Sequence, residues 1–336
     1  APSEMCIRDS IDGIELHTSS QHMESADIAI STFWKTAYES LALANVKFKA
    51  YFIQDYEPYF YPMSSNWLFA EDTYRFGFYG VCASRWLHTI AHRFGMPACH
   101  FNLGYDPNVY YPDPLTSRDA NRVLVYMRPS TERRGTELLI SALTALKRNR
   151  PKTRIAIFGT EDLGYSGVEF EVEMLGLLNE EELRRQHSMS SITLLTSLTN
   201  YSLIPVEAMA CGSVVVDVDV ESMRETFGED SPIRLVTPRP LDMARAIAAT
   251  LDDQQELQLL SAAGIEYSKN FVWDKAFSSV ENDLFAAWFS DTTCQGCMSK
   301  DGLVRAPGAS KIFYVKDGVR YGCLLYTSLM ARGRRV

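Results

Sequence analysis

Short apolar runs alternate with stretches of helical period twice along this chain, and one segment with neither period separates the two series. The first series starts at Ala26. "ADIAIS" (26–31) and "KAYFIQ" (49–54) read as buried strands, and "FWKTAYESLALA" between them reads as a helix capped by Ser31 or Thr32. A helix around "NWLFAEDTYRF", the strand "YGVCAS", the helix "RWLHTIAHRF" stopped by Gly95 and the strand "ACHFNL" complete it. "GYDPNVYYPDPLTSRDANR" is rich in Pro, Asp and Asn and reads as a linker. The second series holds "VLVYM" (123–127), a helix over 136–147, "RIAIFG" (154–159), "VEMLG" (172–176), the helix "NEEELRRQHSM" and "SITLLTS" (191–197). A short helix over 204–211, "SVVVDV" (213–218) and "IRLV" (233–236) finish it. Strands joined through helices run parallel and need cover on both faces. The expected fold class is α/β, with two Rossmann-like doubly wound domains facing a cleft, and such sheets bind ligands beyond the carboxyl ends of their strands.

A chain of 336 residues suits two domains of ordinary size. Its net charge of -9 argues against nucleic acid as the main partner and favours a small molecule or an uncharged polymer. No run of about 18 apolar residues marks a membrane span, and no charged n-region with an apolar h-region marks a secretory signal. The expectation is a cytoplasmic protein with at most peripheral association at the inner face of a membrane. Cys82, Cys99 and Cys211 fall inside strands or helices, as small hydrophobes do in a reducing compartment. Cys294 and Cys297 form one CxxC with Cys323 as a third member, but no fourth ligand is near, so no metal is expected. His88 and His92 share a helix face without a third ligand, and His100 reads as structural.

"MCIRDS" near the start and "CLLYTS" near the finish resemble translated sequencing-adapter sequence. Residues 1–10 and the last part of 291–336 are therefore expected to be scars, with a natural protein longer at its N-terminus. The N-terminal domain is accordingly expected to be incomplete, lacking further strands and a Gly-rich first loop, and this chain to be poorly active. "DGLVRAPGASKIFYVKDGVRYG" (301–322) reads as a small β-hairpin unit.

In "LTNYSLIPVEAMACGSVVVD" (198–217), Glu207 is the only charge between Leu203 and Cys211, a run that should be buried. Pro205 suits a first helical turn, Ser202 an N-cap and Gly212 a C′ stop. A helix N-terminus presents free N–H groups and partial positive charge, which suit a phosphate, while a carboxylate in the first turn suits sugar hydroxyls or caps its own helix. "RPSTERRG" (128–135) puts Arg128, Arg133 and Arg134 at the carboxyl end of the same sheet, where guanidinium groups can clamp phosphate oxygens.

"RPSTERRG", "LGLLNEEELRRQ" and "TNYSLIPVEAMACGSVVV", in this order, resemble the C-terminal domain of family-4 GT-B glycosyltransferases, and "NLGYDPNVYYP" resembles the segment ending their N-terminal domain. "YFIQDYEPYFYPMSSNWLFAEDTYRFGFYG" narrows the resemblance to WsaF-type rhamnosyltransferases. It implies an acceptor-side domain and linker over 11–118, a nucleotide-sugar domain over 119–270, and a helix over 271–290 packing back on the first domain. It implies that Glu207 holds the ribose, that Arg128 and Arg134 hold the diphosphate, and that Asn200, Tyr201, Ser202 and Leu203 lie beside donor phosphate or sugar. Arg133, Gly159 and Leu178 join this donor set. The family's pair of donor-binding glutamates is incomplete, because the earlier position is Thr199. A deoxysugar donor such as dTDP-rhamnose, with fewer hydroxyls to satisfy, is compatible with that loss. The implied reaction is retaining hexosyl transfer to a growing surface glycan, without metal or other cofactor.

Twelve residues between Tyr51 and Tyr79 are aromatic and surround "QDYEP". Aromatic faces stack on sugars and carboxylates accept their hydroxyls, which makes Gln54 and Tyr56 acceptor candidates and Asp55 and Glu57 catalytic candidates. Trp67, Phe69, Phe76 and Phe78 read as core. Two alternatives stay open: a degenerate nucleotide- or glycan-binding protein, which Thr199 favours, and a sugar-nucleotide epimerase.

Overall fold

The computed structural model describes residues 26–164, 168 and 170–290 and, beyond them, the strands at 303–305, 312–316 and 319–322. The first series forms a four-stranded sheet of β1 (Ala26–Ser31), β2 (Val46–Ile53), β3 (Tyr79–Cys82) and β4 (Ala98–His100), all parallel and in sequential order. Helices α1 (Trp34–Ala42), α2 (Ser65–Asp72) and α3 (Arg85–Arg93) form the crossovers. A sequential order has no point where the winding reverses, so right-handed crossovers put these helices on one face. Ser31 and Thr32 do not cap α1. Phe33 is the N-cap residue, the Thr36 hydroxyl accepts from Phe33 N at 3.1 Å, and the Ser31 hydroxyl bonds Ser40 instead.

The second series forms a six-stranded parallel sheet of β5 (Asp119–Tyr126), β6 (Arg154–Phe158), β7 (Glu173–Gly176), β8 (Ser190–Leu194), β9 (Val214–Val218) and β10 (Arg234–Val236). Its order is β10-β9-β8-β5-β6-β7, which is doubly wound about the β5–β8 pair. Strand β5 starts inside the segment read as linker, because Asp119 already pairs with Ser190. Successive side chains of β5 divide between two cores: Val123 and Val125 pack with α4 (Thr136–Asn149), and Leu124 packs with the far face. That far face is covered in part by α6 (Ile204–Ala210), which follows α5 (Glu180–Met189) in the chain. Helices α7 (Glu221–Phe227), α8 (Pro240–Asp252) and α9 (Gln254–Ser268) complete the unit.

Helix α10 (Trp273–Ser290) returns to the first sheet, where Trp273, Ala276, Val280 and Leu284 enter the core around Tyr51, Phe52 and Ile53. The stretch before β5 is anchored, since Tyr105 N donates to Phe271 O at 2.9 Å and Tyr105 and Tyr110 are buried. Strands at Leu303–Arg305, Ile312–Lys316 and Val319–Gly322 pair antiparallel as a separate small sheet. Cys294, Cys297 and Cys323 lie outside the described residues, and Cys82, Cys99 and Cys211 are free and buried. Among the described residues no helix is long and apolar enough to cross a membrane, and no group of His, Cys, Asp and Glu is arranged to hold a metal ion.

Candidate functional site

Crossovers leave β5 and β8 in opposite directions, and it is beyond the carboxyl ends at such a switch point that open parallel sheets bind ligands. The β5 loop carries Arg128, which is exposed, then a 3₁₀ turn over Glu132–Arg134, then Gly135. Gly135 has φ +56°, and a Cβ there would stand 3.1 Å from the Thr196 hydroxyl and 3.2 Å from Leu198, so a side chain would force the two loops apart. Gly159 ends β6 with φ +96°, and a Cβ there would lie 2.6 Å from the Met127 carbonyl. Leu178 is partly buried against the core on the α6 face.

The β8 loop is held from beneath by Asp217 of β9, which is 1% exposed. Its carboxylate accepts from Ser197 N at 2.8 Å, Ser197 Oγ at 2.7 Å and Val218 N at 2.8 Å. Burial pushes the Asp217 carboxyl up, and those hydrogen bonds pull it partly back. Beyond Ser197 the loop turns to the first sheet. Thr199 Oγ1 donates to Asp55 Oδ2 at 2.9 Å, Asn200 N to Asp55 Oδ1 at 3.0 Å, and Asn200 Nδ2 to the carbonyls of Gln54 and Ala83 at 2.9 and 3.1 Å. The Tyr201 hydroxyl accepts from Leu103 N. Leu203, partly buried, packs on the first sheet's core.

Helix α6 starts from Leu203 rather than Ser202, whose hydroxyl is buried and has no hydrogen-bond partner among the described residues. Gly212 follows the Cys211 C-cap with φ +79°, as a C′ stop does. Glu207 is 4% exposed, and its carboxylate, one turn before Cys211, adds to the burial that pushes the Cys211 thiol up. Arg118, which sequence reasoning passed over as linker, donates to the Ser190 and Cys211 carbonyls at 2.5 and 3.0 Å. One cation thus closes the C-termini of α5 and α6, where the helix dipoles favour it.

The two acids expected to be catalytic are committed to protein donors. Glu57, 3% exposed, accepts from Trp34 N at 2.6 Å and the Tyr51 hydroxyl at 2.8 Å, so it caps the first turn of α1 across 23 residues of sequence. Burial first, and Glu57 second, push the Tyr51 phenol well up. Asp55 accepts from Tyr56 N, Asn200 N and Thr199 Oγ1 and pairs with Arg133 Nε at 3.3 Å. A local pattern cannot reveal such partners, and the geometry gives both acids structural work. Tyr56 is core rather than an acceptor surface: it is 6% exposed, edge-on to Tyr59 at 4.7 Å, and its hydroxyl faces Glu71 at 3.5 Å. Gln54 offers its carbonyl to Asn200 and its amide to Thr32 O at 3.5 Å. Of the four aromatics read as core, Phe78 is buried, Phe76 and Trp67 are half-buried, and Phe69 is 49% exposed, lying on Trp34 at 6.4 Å.

The three arginines separate in the same way. Arg134 Nη1 donates to Asn200 O at 3.4 Å, and Arg133 lies between Asp55 and the Phe60 ring, 4.0 Å from its centroid. Burial lowers the Arg133 guanidinium from its ordinary value, and Asp55 offsets part of this. A cavity of about 540 Å³ lies elsewhere, at the amino ends of β2 and β3, lined by Phe48, Phe78, Tyr79 and Ala287, and belongs to none of this.

Residues 111–267 match the family model described as Glycosyl transferases group 1, and residues 7–81 match that described as WsaF, N-terminal domain. The O-antigen biosynthesis protein RfbC of Myxococcus xanthus is 32% identical over 222 residues, 65% of this chain and 17% of that protein. The sucrose-phosphate synthase of Thermosynechococcus elongatus aligns with a TM-score of 0.64 at 18% identity, over 78% of this chain and 74% of that one. Anabaena Alr3699/HepE in complex with UDP-glucose aligns with a TM-score of 0.64 at 19% identity, over 77% and 79%. At these identities the two structures speak for the fold, which is GT-B. Over residues 111–267 the chain thus resembles a group 1 glycosyl transferase domain, over 7–81 it resembles a WsaF-type N-terminal domain, and its frame is GT-B.

Proposed function

We propose that this chain is the core of a glycosyltransferase that moves a hexose from a nucleoside-diphosphate donor to a growing surface polysaccharide, with retention at the anomeric carbon. The observation that carries the reading is Glu207, 4% exposed on α6, beside a switch point whose other loop carries Arg128 and Arg134. In this reading Arg128 and Arg134 neutralise the diphosphate as it leaves, and Glu207 accepts from ribose hydroxyls. The backbone amides of Tyr201, Ser202 and Leu203 lie nearest the donor; that of Asn200 is taken by Asp55. An acceptor hydroxyl attacks from the face the diphosphate leaves, and its proton passes to a departing phosphate oxygen. The GT-B frame also supports the reading, as do the name of RfbC, which ties a relative to O-antigen synthesis, and the UDP-glucose bound in HepE. A rhamnosyl donor such as dTDP-rhamnose, and work at the cytoplasmic face of a membrane, are the finer parts of this proposal. Thr199 supports the deoxysugar, because its hydroxyl already serves Asp55.

The test is calorimetric titration of dTDP, UDP, GDP and ADP into the chain, Glu207→Ala and Arg128→Ala. One nucleotide is expected to bind, and each variant to weaken it about 10- to 100-fold, the worth of one charge-assisted hydrogen bond. Binding of none, or binding unaffected by both variants, overturns the donor site. The commitment of Asp55 and Glu57 to protein donors favours a second reading, a binding protein without turnover, and transfer from the bound donor to a glycan separates the two.

A further inference from the structure

Asp55, 6% exposed, stands at the carboxyl end of β2, and most of its partners come from the other sheet. Oδ1 takes Asn200 N and Tyr56 N, and Oδ2 takes Thr199 Oγ1 and lies 3.3 Å from Arg133 Nε as an ion pair without hydrogen-bond geometry. Arg133 reaches Asp55 and the Phe60 ring, both of the first unit, and its side chain is 29% exposed. A guanidinium stacked over a ring and ion-paired with a buried carboxylate is restrained between the two. Among the described residues Arg128, exposed, shows no such contact, and the Arg134 side chain donates to the Asn200 carbonyl of its own unit.

We propose that Asp55 and Arg133 are a positioning pair that seats the first domain on the donor loop, and that Arg133 is not a phosphate ligand. The pair fixes Thr199 and Asn200, which precede α6, relative to β2. It thereby sets the distance between a donor held by the second domain and an acceptor held by the first. Only this kinetic consequence rests on the proposed transfer reaction; the seating itself does not.

Asp55→Asn isolates the charged contact. The carboxamide keeps an oxygen for Asn200 N and Tyr56 N, the Thr199 hydroxyl can turn to accept from the new amide, and only Arg133 loses its partner. The experiment compares wild type, D55N, R133Q, R133K, R128A and the double variant D55N/R133Q by calorimetric unfolding, nucleotide titration and donor turnover. One cooperative transition is expected for wild type and two for D55N and R133Q, with the double variant no worse than either single, as coupled partners require. R133K, which keeps the charge but not the planar stack, should be intermediate. R133Q should hold nucleotide within about twofold of wild type while R128A loses about tenfold or more. Turnover should show kcat lowered about tenfold in D55N and R133Q with donor KM nearly unchanged, the mark of an interaction that orients rather than binds. Two transitions in the wild type, additive single effects, or an R133Q nucleotide loss equal to that of R128A would each overturn the pair. If no variant binds any nucleotide, the transferase reading fails and the unfolding arm still decides the seating.

Discussion

Asp217 meets its three hydrogen-bond donors inside a strand of valines, and an acid there can be kept neutral or charged with little change in shape. Because burial raises its folded-state value above the ordinary 3.8, the folded protein holds this proton more tightly than the unfolded chain does. The group's contribution to stability is therefore present below pH 3.8 and is lost as pH rises through the folded-state value. Asp217→Asn should keep the acceptor for Ser197 N and Val218 N while the Ser197 hydroxyl turns to accept. Its stability should stay within about 1 kcal/mol of wild type, with a flatter pH profile. Asp217→Ala strands buried donors and should lose about 1–3 kcal/mol, measured by urea unfolding. Glu207 and Asp217 give the same signal in sequence, an acid in an apolar run, and Asp217 serves the loop after β8. The signal reports burial and is silent about who supplies the partners.

Helix α3 meets β4 through three imidazoles, with ring centroids 4.6 Å apart for His88 and His92 and 5.2 Å apart for His88 and His100. Desolvation is the largest cause lowering His88 and His100 below 6.5; neighbouring imidazoles and Arg85 add to it, and Asp283 of α10 opposes it at His100. A base lowered in the folded state contributes stability that is complete above 6.5 and is lost as pH falls through the folded value. The melting temperature should therefore drop between about pH 7 and 5, and His100→Asn should remove part of that drop in a calorimetric series. The i, i+4 pair on α3 was legible in sequence, whereas His100 arrives through a parallel strand pairing. The cap of α1 behaves likewise: a Ser or Thr beside the helix was expected, and Glu57 supplies a carboxylate from the turn after β2.

Among the described residues the two units meet at the Asp55 cluster, at the Tyr201 hydroxyl on Leu103, at Leu203 on the first sheet's core and at α3 against α7, among other contacts. On the last of these Arg93 pairs with Glu221 at 2.8 Å, with side chains 56% and 51% exposed. Such a pair contributes at most about 1 kcal/mol, so Glu221→Gln should barely move the unfolding midpoint, and less so in high salt. Tyr201, 3% exposed, accepts from a backbone amide across the interface, so Tyr201→Phe should lose about 1–3 kcal/mol. Equal effects from the two would contradict that ranking. The α/β alternation, the turn glycines and the arrival of the arginine loop and α6 at one sheet end were all readable from residue order. Hydrophobic period and the parallel-sheet rule act over a few residues at a time and leave their mark in local pattern. Which carboxylates are consumed by partners from distant parts of the chain was settled elsewhere. Asp55 and Asn200 stand 145 positions apart, and only a packed interface, where every buried polar group must find a partner, brings them within 3.0 Å.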